Sequence, residues 1–256
     1  MRIDLTIGSY FSFVVFTMFH QITDTLLSVI YPQACQICEK SVENSSDGIV
    51  CRDCWEKTQI FSGAETLCHK CSTFLHGNPT DFETFCRKCD EDFYDSARAV
   101  GLYENALSAS ILHLKEEPFV SKNLQNLFIS AFEKSPFQDA DLIVPVPLSK
   151  RRFIERGFNQ AAVLAQILAK NTNINFDEQS LVRTIHTPIH RAAMDRKARE
   201  MTVENAFEVM RPKLIEGKKV LLVDDIFTSG ATVSHCAKVL KNKGAEKVYV
   251  LTIARA

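Results

Sequence analysis

The sequence lacks an excess of charge of either sign, because its formal net charge is −1 over 256 residues. Proteins that coat nucleic acid carry a strong positive field, so any affinity of this chain for nucleic acid has to come from a local patch. No Gly-x-Gly-x-x-Gly string and no Walker A string is present, which argues against dinucleotide and ordinary nucleoside-triphosphate sites. Repeats and low-complexity segments are also absent. A hydrophobic content of 46% suits one substantial core with a small accessory unit.

No apolar run has the length of a typical membrane span. The uncharged segment Leu5 to Phe19 lies between Asp4 and His20, whereas a spanning helix needs roughly 18 or more apolar residues. A secretory signal would need a more basic start and a small-residue cleavage site. We therefore interpret residues 1–30 as an N-terminal extension. Two alternatives stay open: an interfacial membrane anchor, or a start codon at Met18 that leaves a short amphipathic helix before the first cysteines.

Cysteine, in contrast, is abundant and regularly spaced: eight of the nine cysteines form four Cys-x-x-Cys pairs, and only Cys236 stands apart. Two such turns together complete a tetrahedral, closed zinc site, whereas a disulfide framework would require an oxidising compartment. We therefore predict a double zinc ribbon over residues 31–92 with two structural Zn²⁺ sites. Paired sequentially, the ligands are Cys35, Cys38, Cys51 and Cys54 in one site and Cys68, Cys71, Cys86 and Cys89 in the other. A crossed pairing of the four turns stays open.

Beyond Cys89 the sequence alternates between apolar strand patterns and amphipathic helix patterns. Strands are predicted at 97–103, 141–147, 219–225 and 247–254, and helices at 106–115, 159–170 and 231–244. Strands that alternate with helices indicate a parallel sheet covered on both faces. The predicted fold class is therefore α/β, with a parallel-sheet domain over residues 96–256 and a small N-terminal four-cysteine unit.

The segment VLLVDDIFTSGAT, Val220 to Thr232, combines a strand, two acids and a small polar turn. Ligands of open α/β sheets bind beyond the carboxyl ends of strands, which is where Asp224 and Asp225 are expected. The next turn opens a helix, so its free N–H groups, its hydroxyls and Gly230 favour an anion. Two carboxylates beside a phosphate cradle suit a ribose phosphate, since acids accept hydrogen bonds from vicinal hydroxyls. The alternative is a plain strand followed by a capped helix.

This segment resembles the phosphoribosyl-pyrophosphate (PRPP) loop of type I phosphoribosyltransferases. Combined with PVPLSKRRFIERGFNQ (145–160) and the paired cysteines, it resembles the ComF/GntX family of competence-associated proteins over about residues 30–256. The resemblance implies a phosphoribosyltransferase domain and a role in DNA uptake, natural transformation or DNA utilisation. It further implies a cytoplasmic protein, with a peripheral position at the inner membrane as an alternative. The implied partners are single-stranded DNA and DNA-uptake proteins. Related transferases often form homodimers.

The resemblance also assigns candidate site residues. Asp224 and Asp225 would hold the ribose 2′- and 3′-hydroxyls or the Mg²⁺ that accompanies PRPP. The 5′-phosphate would be wrapped by Thr228, Ser229, Gly230, Ala231 and Thr232. Pyrophosphate would be neutralised by Lys150, Arg151, Arg152 and Arg156. For these basic residues the alternative is a solvated loop charge, and Asn159 is expected simply to cap the next helix.

A polar stretch between Leu181 and Phe207 resembles the mobile hood that closes over phosphoribosyltransferase active sites and excludes water. Its charged residues are Arg183, His186, His190, Arg191, Arg196, Lys197 and Arg199. The alternative is a solvated charged surface.

Whether the domain is catalytic stays open. Purine-salvage transferases carry an acid where this loop has Thr228, and threonine cannot accept a proton near neutral pH, so a purine acceptor is disfavoured. Orotate-type transferases also have threonine there. A competing hypothesis is a binding module in which Trp55, Arg52, His69 and Lys70 contact single-stranded DNA, although Trp55 could instead pack against its zinc turn. A third is a structural adaptor that binds neither ligand.

Overall fold

The computed structural model describes residues 33–75, 84–184 and 206–256. Its main sheet comprises β1 (Ser96–Leu102), β2 (Leu142–Pro145), β3 (Asn175–Phe176), β6 (Lys219–Phe227) and β7 (Lys247–Arg255). The strand order is β1-β7-β6-β2-β3, and every neighbouring pair is parallel. A separate antiparallel hairpin pairs β4 (Leu181–Arg183) with β5 (Phe207–Val209). The predicted parallel α/β sheet is confirmed.

Helices cover both faces of this sheet, as the alternating pattern predicts. They are α1 (Arg52–Glu56), α2 (Asn105–Glu116), α3 (Lys122–Glu133), α4 (Lys150–Arg156), α5 (Gln160–Thr172), α6 (Pro212–Ile215) and α7 (Ala231–Asn242). Because side chains alternate along a strand, Leu221 and Val223 pack with α2, α3 and α5 on one face. Val220 and Leu222 pack with α7 on the other face. The core therefore consists of two apolar clusters separated by the sheet.

The cysteine-rich segment lies along β1 and reaches both faces of the sheet. Its first unit, which contains Cys35 and Trp55, belongs to the apolar cluster of α2 and α3. Its second unit, with Cys68 and Cys89, belongs to the cluster of α7. The chain crosses the edge of the sheet so closely that a Cβ on Gly101 would meet the carbonyl oxygen of Gln59 at 2.2 Å. Only glycine allows this approach.

Several elements differ from the sequence expectations. Strand β6 continues two residues past the expected end at 225, and α7 ends at Asn242 rather than 244. The sequence analysis missed α4, β3 and the β4–β5 hairpin, which are short. It also missed α3, although this 12-residue helix has a serine cap and buries Leu124, Phe128 and Phe132 on one face. Within the described ranges, none of the helices has the length and apolar character that a bilayer crossing requires. The segment Leu5 to Phe19 and Met18 lie outside those ranges.

Candidate functional site

The eight paired cysteines form two clusters, each of four sulfurs that lie within 4.8 Å of one another. The clusters follow the sequential assignment, with Cys35, Cys38, Cys51 and Cys54 in the first and Cys68, Cys71, Cys86 and Cys89 in the second. Sulfur–sulfur distances are 3.5 Å for Cys38–Cys51 and 3.6 Å for Cys68–Cys89. Four sulfurs at about 2.3 Å from a tetrahedral zinc ion would be separated by about 3.8 Å. Both clusters therefore fit a four-cysteine zinc site.

Backbone N–H groups support thiolates in both clusters. The N–H of Cys51 donates to Sγ of Cys35 at 3.4 Å, and the N–H of Cys86 donates to Sγ of Cys68 at 3.2 Å. Burial by itself raises the pKa of these two thiols, but the N–H donors outweigh it and lower the pKa to about 6 for Cys35 and about 7 for Cys68. Such donors stabilise the charged form of a ligand that must be deprotonated to bind zinc.

The two predicted acids lie near the carboxyl end of β6. Asp224 is half-buried and Asp225 is 4% exposed. The N–H of Asp225 donates to Oδ1 of Asp224 at 2.9 Å. Burial, followed by the neighbouring charge of Asp225, raises the pKa of Asp224 well above its usual value, and Lys115 acts in the opposite direction. Two adjacent carboxylates whose charges repel each other favour a nearby cation or hydroxyl donors.

Lys115 is a site residue that the sequence analysis missed. It lies near the end of α2, and its Nζ is 3.3 Å from Oδ2 of Asp225. That oxygen is buried and accepts no hydrogen bond of good geometry from any residue that the structure describes. The contact is therefore an ion pair with unused acceptor capacity. The only sequence signal was a lysine at the end of an otherwise apolar helix face, 110 positions from its partner.

The predicted phosphate loop turns between β6 and α7. Thr228 is exposed, Ser229 is half-buried, and Gly230 has a φ of +81°. A Cβ on Gly230 would lie 2.8 Å from the Phe227 ring, so both the conformation and the space require glycine. Ala231 and Thr232 begin α7, and its first intrahelical bond runs from the N–H of Ser234 to Gly230. The N–H of Ala231 donates to Oγ of Ser229 at 3.4 Å, whereas the N–H groups of Thr232 and Val233 stay available for an anion.

The predicted pyrophosphate residues lie on α4 rather than in a loop. Ser149 caps this helix through its Oγ, which accepts the N–H of Arg152. Arg151 is exposed and pairs with Glu155 at 2.8 Å, and Lys150 also faces solvent. The helix forms because a serine cap precedes a run of strong helix formers.

Arg156, the last residue of α4, is half-buried. Burial lowers the pKa of its guanidinium, and the negative charge of Asp225 raises it, which indicates that the two groups are close. Its Nη1 donates to Oε1 of Gln160 at 2.8 Å. Asn159 caps α5 as expected, because its Oδ1 accepts the N–H of Ala161. Arg156 therefore interacts electrostatically with the acid pair.

The structure describes only some of the remaining candidate residues. Arg183 lies on β4 with its guanidinium carbon 5.3 Å from the centre of the Phe207 ring. The other charged residues of the predicted hood, His186, His190, Arg191, Arg196, Lys197 and Arg199, lie outside the described residues. Trp55 is 8% exposed, and its Nε1 donates to the carbonyl of Asp47 at 3.0 Å. Its ring packs against the first cysteine unit, so it is not exposed for stacking on bases.

Two domain families match the chain. A double zinc ribbon domain matches residues 26–90, and a phosphoribosyl transferase domain matches residues 156–256. Together with the parallel sheet and the two cysteine clusters, these matches define the class: a type I phosphoribosyltransferase fold with an N-terminal double zinc ribbon.

Curated relatives identify the family within that class. The DNA utilization protein YhgH of Escherichia coli K12 is 30% identical over 233 residues, which cover 88% of this chain and 97% of that protein. The competence protein ComFC of Bacillus subtilis is 28% identical over 221 residues, which cover 82% and 85% of the two chains. Competence protein F of Haemophilus influenzae is 27% identical over 231 residues, covering 87% and 96%. The chain therefore belongs to the ComF/GntX family that contains these proteins.

Solved structures show more distant likenesses. The glutamine PRPP amidotransferase of B. subtilis, complexed with ADP and GMP, aligns with a TM-score of 0.35 and 20% identity. That alignment covers 58% of this chain and 26% of the amidotransferase chain.

Proposed function

We propose that this protein binds PRPP, or a related ribose phosphate, with Mg²⁺ at the end of β6, and that it acts in DNA uptake or DNA utilisation. The observation that carries the proposal is the buried carboxylate of Asp225, which lies beside Asp224 and Lys115 and directly precedes the glycine turn that opens α7. The acid pair can accept hydrogen bonds from hydroxyls or bind a metal ion. Lys115 and the N-terminus of α7 can bind phosphate. The names of the relatives support the biological process.

In this proposal each group has a defined task. Asp224 and Asp225 accept hydrogen bonds from the ribose hydroxyls or hold Mg²⁺, whose charge would neutralise pyrophosphate oxygens when it is bound. The N–H groups of α7 and the hydroxyls of Thr228, Ser229 and Thr232 hold the 5′-phosphate. In a transfer, the bond from the anomeric carbon to pyrophosphate breaks with its electron pair leaving on pyrophosphate. Lys150, Arg151, Arg152 and Arg156 stabilise that charge, and the acceptor forms the new bond.

Isothermal titration of the zinc-loaded protein with PRPP and Mg²⁺ tests the binding step. The double variant Asp224→Asn, Asp225→Asn should weaken binding by roughly 100-fold, because hydrogen bonds to charged groups contribute about 1.5–3 kcal/mol each. Asp53→Asn is the matched control, since Asp53 is an exposed acid paired with Lys40 in the first cysteine unit. No heat with the wild-type protein, or equal heat with the double variant, would contradict the proposal.

A second candidate function is a binding module without turnover. The relatives named for DNA utilization and competence favour it, and so does Thr228 in the position of a proton-accepting acid. Release of pyrophosphate in a screen of acceptors separates the two candidates. PRPP binding without pyrophosphate release, together with salt-dependent binding of single-stranded DNA, would favour the module.

A further inference from the structure

A cavity of about 260 Å³ opens at the surface beside β1, the strand at one edge of the main sheet. Its walls come from β1, from the end of α3 and from the chain between the two cysteine clusters. The lining of this edge cavity includes Phe61, Glu65, Leu67, Arg98, Ala131 and Lys134. None of the residues predicted to hold ribose phosphate or pyrophosphate lines it. The edge cavity is therefore separate from the ribose-phosphate site.

The edge cavity forms because the cysteine-rich segment pairs with β1 at two places and leaves it between them. The N–H of Phe61 donates to the carbonyl of Val100 at 2.8 Å, and the N–H of Ala97 donates to the carbonyl of Lys70 at 2.7 Å. Between these bonds the cavity is lined by Arg98 of β1. Small-molecule sites typically enclose about 300–1,000 Å³, so a cavity just below this range suits a molecule smaller than a nucleotide.

Arg98 presents an unused hydrogen-bonding edge. Its Nη1 donates to the carbonyls of His69 and Ala97 at 2.9 and 2.8 Å and to Oγ of Ser96 at 2.9 Å. These bonds fix the half-buried guanidinium between β1 and the second cysteine unit. Nε and Nη2 lie together on the other edge and make no hydrogen bond within the part of the chain that the structure describes. Two parallel donors on one edge of a guanidinium match the two oxygens of a carboxylate.

The charged side chains of the lining also favour a carboxylate. Lys134, which directly follows α3, is exposed and pairs with no acid among the described residues. Glu65 carries the only carboxylate of the lining. It already accepts hydrogen bonds from the N–H and Oγ of Ser62 and from the N–H of Gly63. The positive charges of the cavity are therefore available to a ligand, whereas its negative charge is held by its own loop.

The second cysteine cluster adds negative charge beside the cavity, because Cys68 is also part of the lining. A zinc ion with four thiolates carries a net charge of about −2. The two Cys-x-x-Cys turns of this unit contain three cations that offset this charge from outside the cavity, namely Lys70, Arg87 and Lys88. Cys68 itself has 0% exposure. A ligand in the cavity therefore meets the cationic side chains rather than the thiolates.

Apolar side chains form the rest of the wall, namely Phe61, Leu67 and Ala131. The Phe61 ring is held edge to face by Phe74, with ring centres 5.5 Å apart and ring planes at 71°. We propose that the edge cavity binds a small carboxylate with an apolar body, of the class of a branched aliphatic acid. The carboxylate oxygens accept from Nε and Nη2 of Arg98, and the apolar body packs against Phe61 and Leu67. This inference does not depend on PRPP binding.

Ligand-detected NMR saturation transfer with isovalerate as the probe tests the edge cavity in the zinc-loaded full chain, without PRPP. Isovalerate should bind the wild-type protein, and its amide, which has the same shape without the charge, should bind roughly tenfold more weakly. Arg98→Lys keeps the charge but loses the paired donors, so isovalerate affinity should fall roughly tenfold. No transfer to isovalerate, or equal affinity of Arg98→Lys and the wild type, would overturn the proposal.

A second pair of variants protects the test against misfolding of Arg98→Lys, because the Nη1 bonds of Arg98 join β1 to the second cysteine unit. Lys134 lines the edge cavity, whereas Lys122 at the other end of α3 does not, and both side chains are exposed. Lys134→Glu should weaken isovalerate binding severalfold, and Lys122→Glu should leave it unchanged. Equal effects of the two charge reversals would contradict a site in this cavity. Since PRPP is absent, failure here leaves the ribose-phosphate proposal intact.

Discussion

The two cysteine units carry the same ligand pattern but support opposite sides of the candidate site. The first unit packs into the cluster of α2, the helix that delivers Lys115 to Asp225. The second unit packs into the cluster of α7 and forms one wall of a cavity of about 530 Å³ beside Phe227. The same motif therefore supports the helix that carries Lys115 on one face of the sheet and forms part of a cavity wall on the other. The comparison shows that ligand spacing alone does not define what a zinc turn does.

Removal of one cysteine from either unit tests the difference between the two units with the largest expected effect. Cys51→Ser and Cys89→Ser should each reduce zinc content by one ion per chain, measured by inductively coupled plasma mass spectrometry. Structural zinc contributes on the order of 10 kcal/mol to the fold of its unit. We expect Cys51→Ser to expose α2 to hydrogen exchange and to weaken PRPP binding. Cys89→Ser should instead expose α7 to hydrogen exchange, because Cys89 packs in the cluster of that helix.

The contrast between these two variants is the decisive result. If both variants expose α2 and α7 equally, the two units act as one cooperative body and the division between faces is wrong. A variant of Cys236, which is buried in α7 outside the two clusters, serves as the control. Cys236→Ala should leave the zinc content unchanged.

Lys115 tests the role of the first cysteine unit in the candidate site. Lys115→Met removes the cation that lies 3.3 Å from the buried carboxylate of Asp225. Because the variant loses a positive charge beside the site of an anionic ligand, we expect PRPP affinity to fall by roughly tenfold. Lys115→Arg should retain most of the affinity, and Lys122→Met, at the exposed start of α3, is the control. Equal PRPP affinity of Lys115→Met and wild type in calorimetry would remove Lys115 from the site.

The sequence predicts the local parts of this arrangement and not the long-range ones. The cysteine clusters, the acid pair and the turn at Gly230 were recognisable because their members are close in sequence. Lys115 was not, because its place beside Asp225 depends on the strand order β1-β7-β6-β2-β3. Alternating strands and helices predict a parallel sheet without fixing which strands are neighbours. The cavity was missed for the same reason, since its walls come from the second cysteine unit and from the ends of β6 and β7.

The acid pair itself spans the two faces, and its pH dependence gives the smallest expected effect. Lys115 approaches Asp225 from α2, whereas the charge of Asp224 acts on Cys236 in α7 and, after burial, raises the pKa of that thiol. The pKa of Asp224 is higher in the folded protein than its usual value of 3.8. The folded state therefore keeps a proton that the unfolded state releases, and stability from this group is present below pH 3.8 and lost as the pH rises.

Asp224→Asn should consequently stabilise the ligand-free protein at neutral pH by about 1 kcal/mol, although it weakens PRPP binding. Thermal unfolding of the variant and the wild type across a pH series measures this difference, which should shrink as the pH falls towards 4. Asp53→Asn tests the sign, because the side-chain hydrogen bond from Lys40 lowers the pKa of Asp53 and predicts no gain. A lower melting temperature of Asp224→Asn at neutral pH would contradict the destabilising effect that we assign to the charge of Asp224. A higher one would show that the site keeps two carboxylates together for ligand binding at a cost in stability.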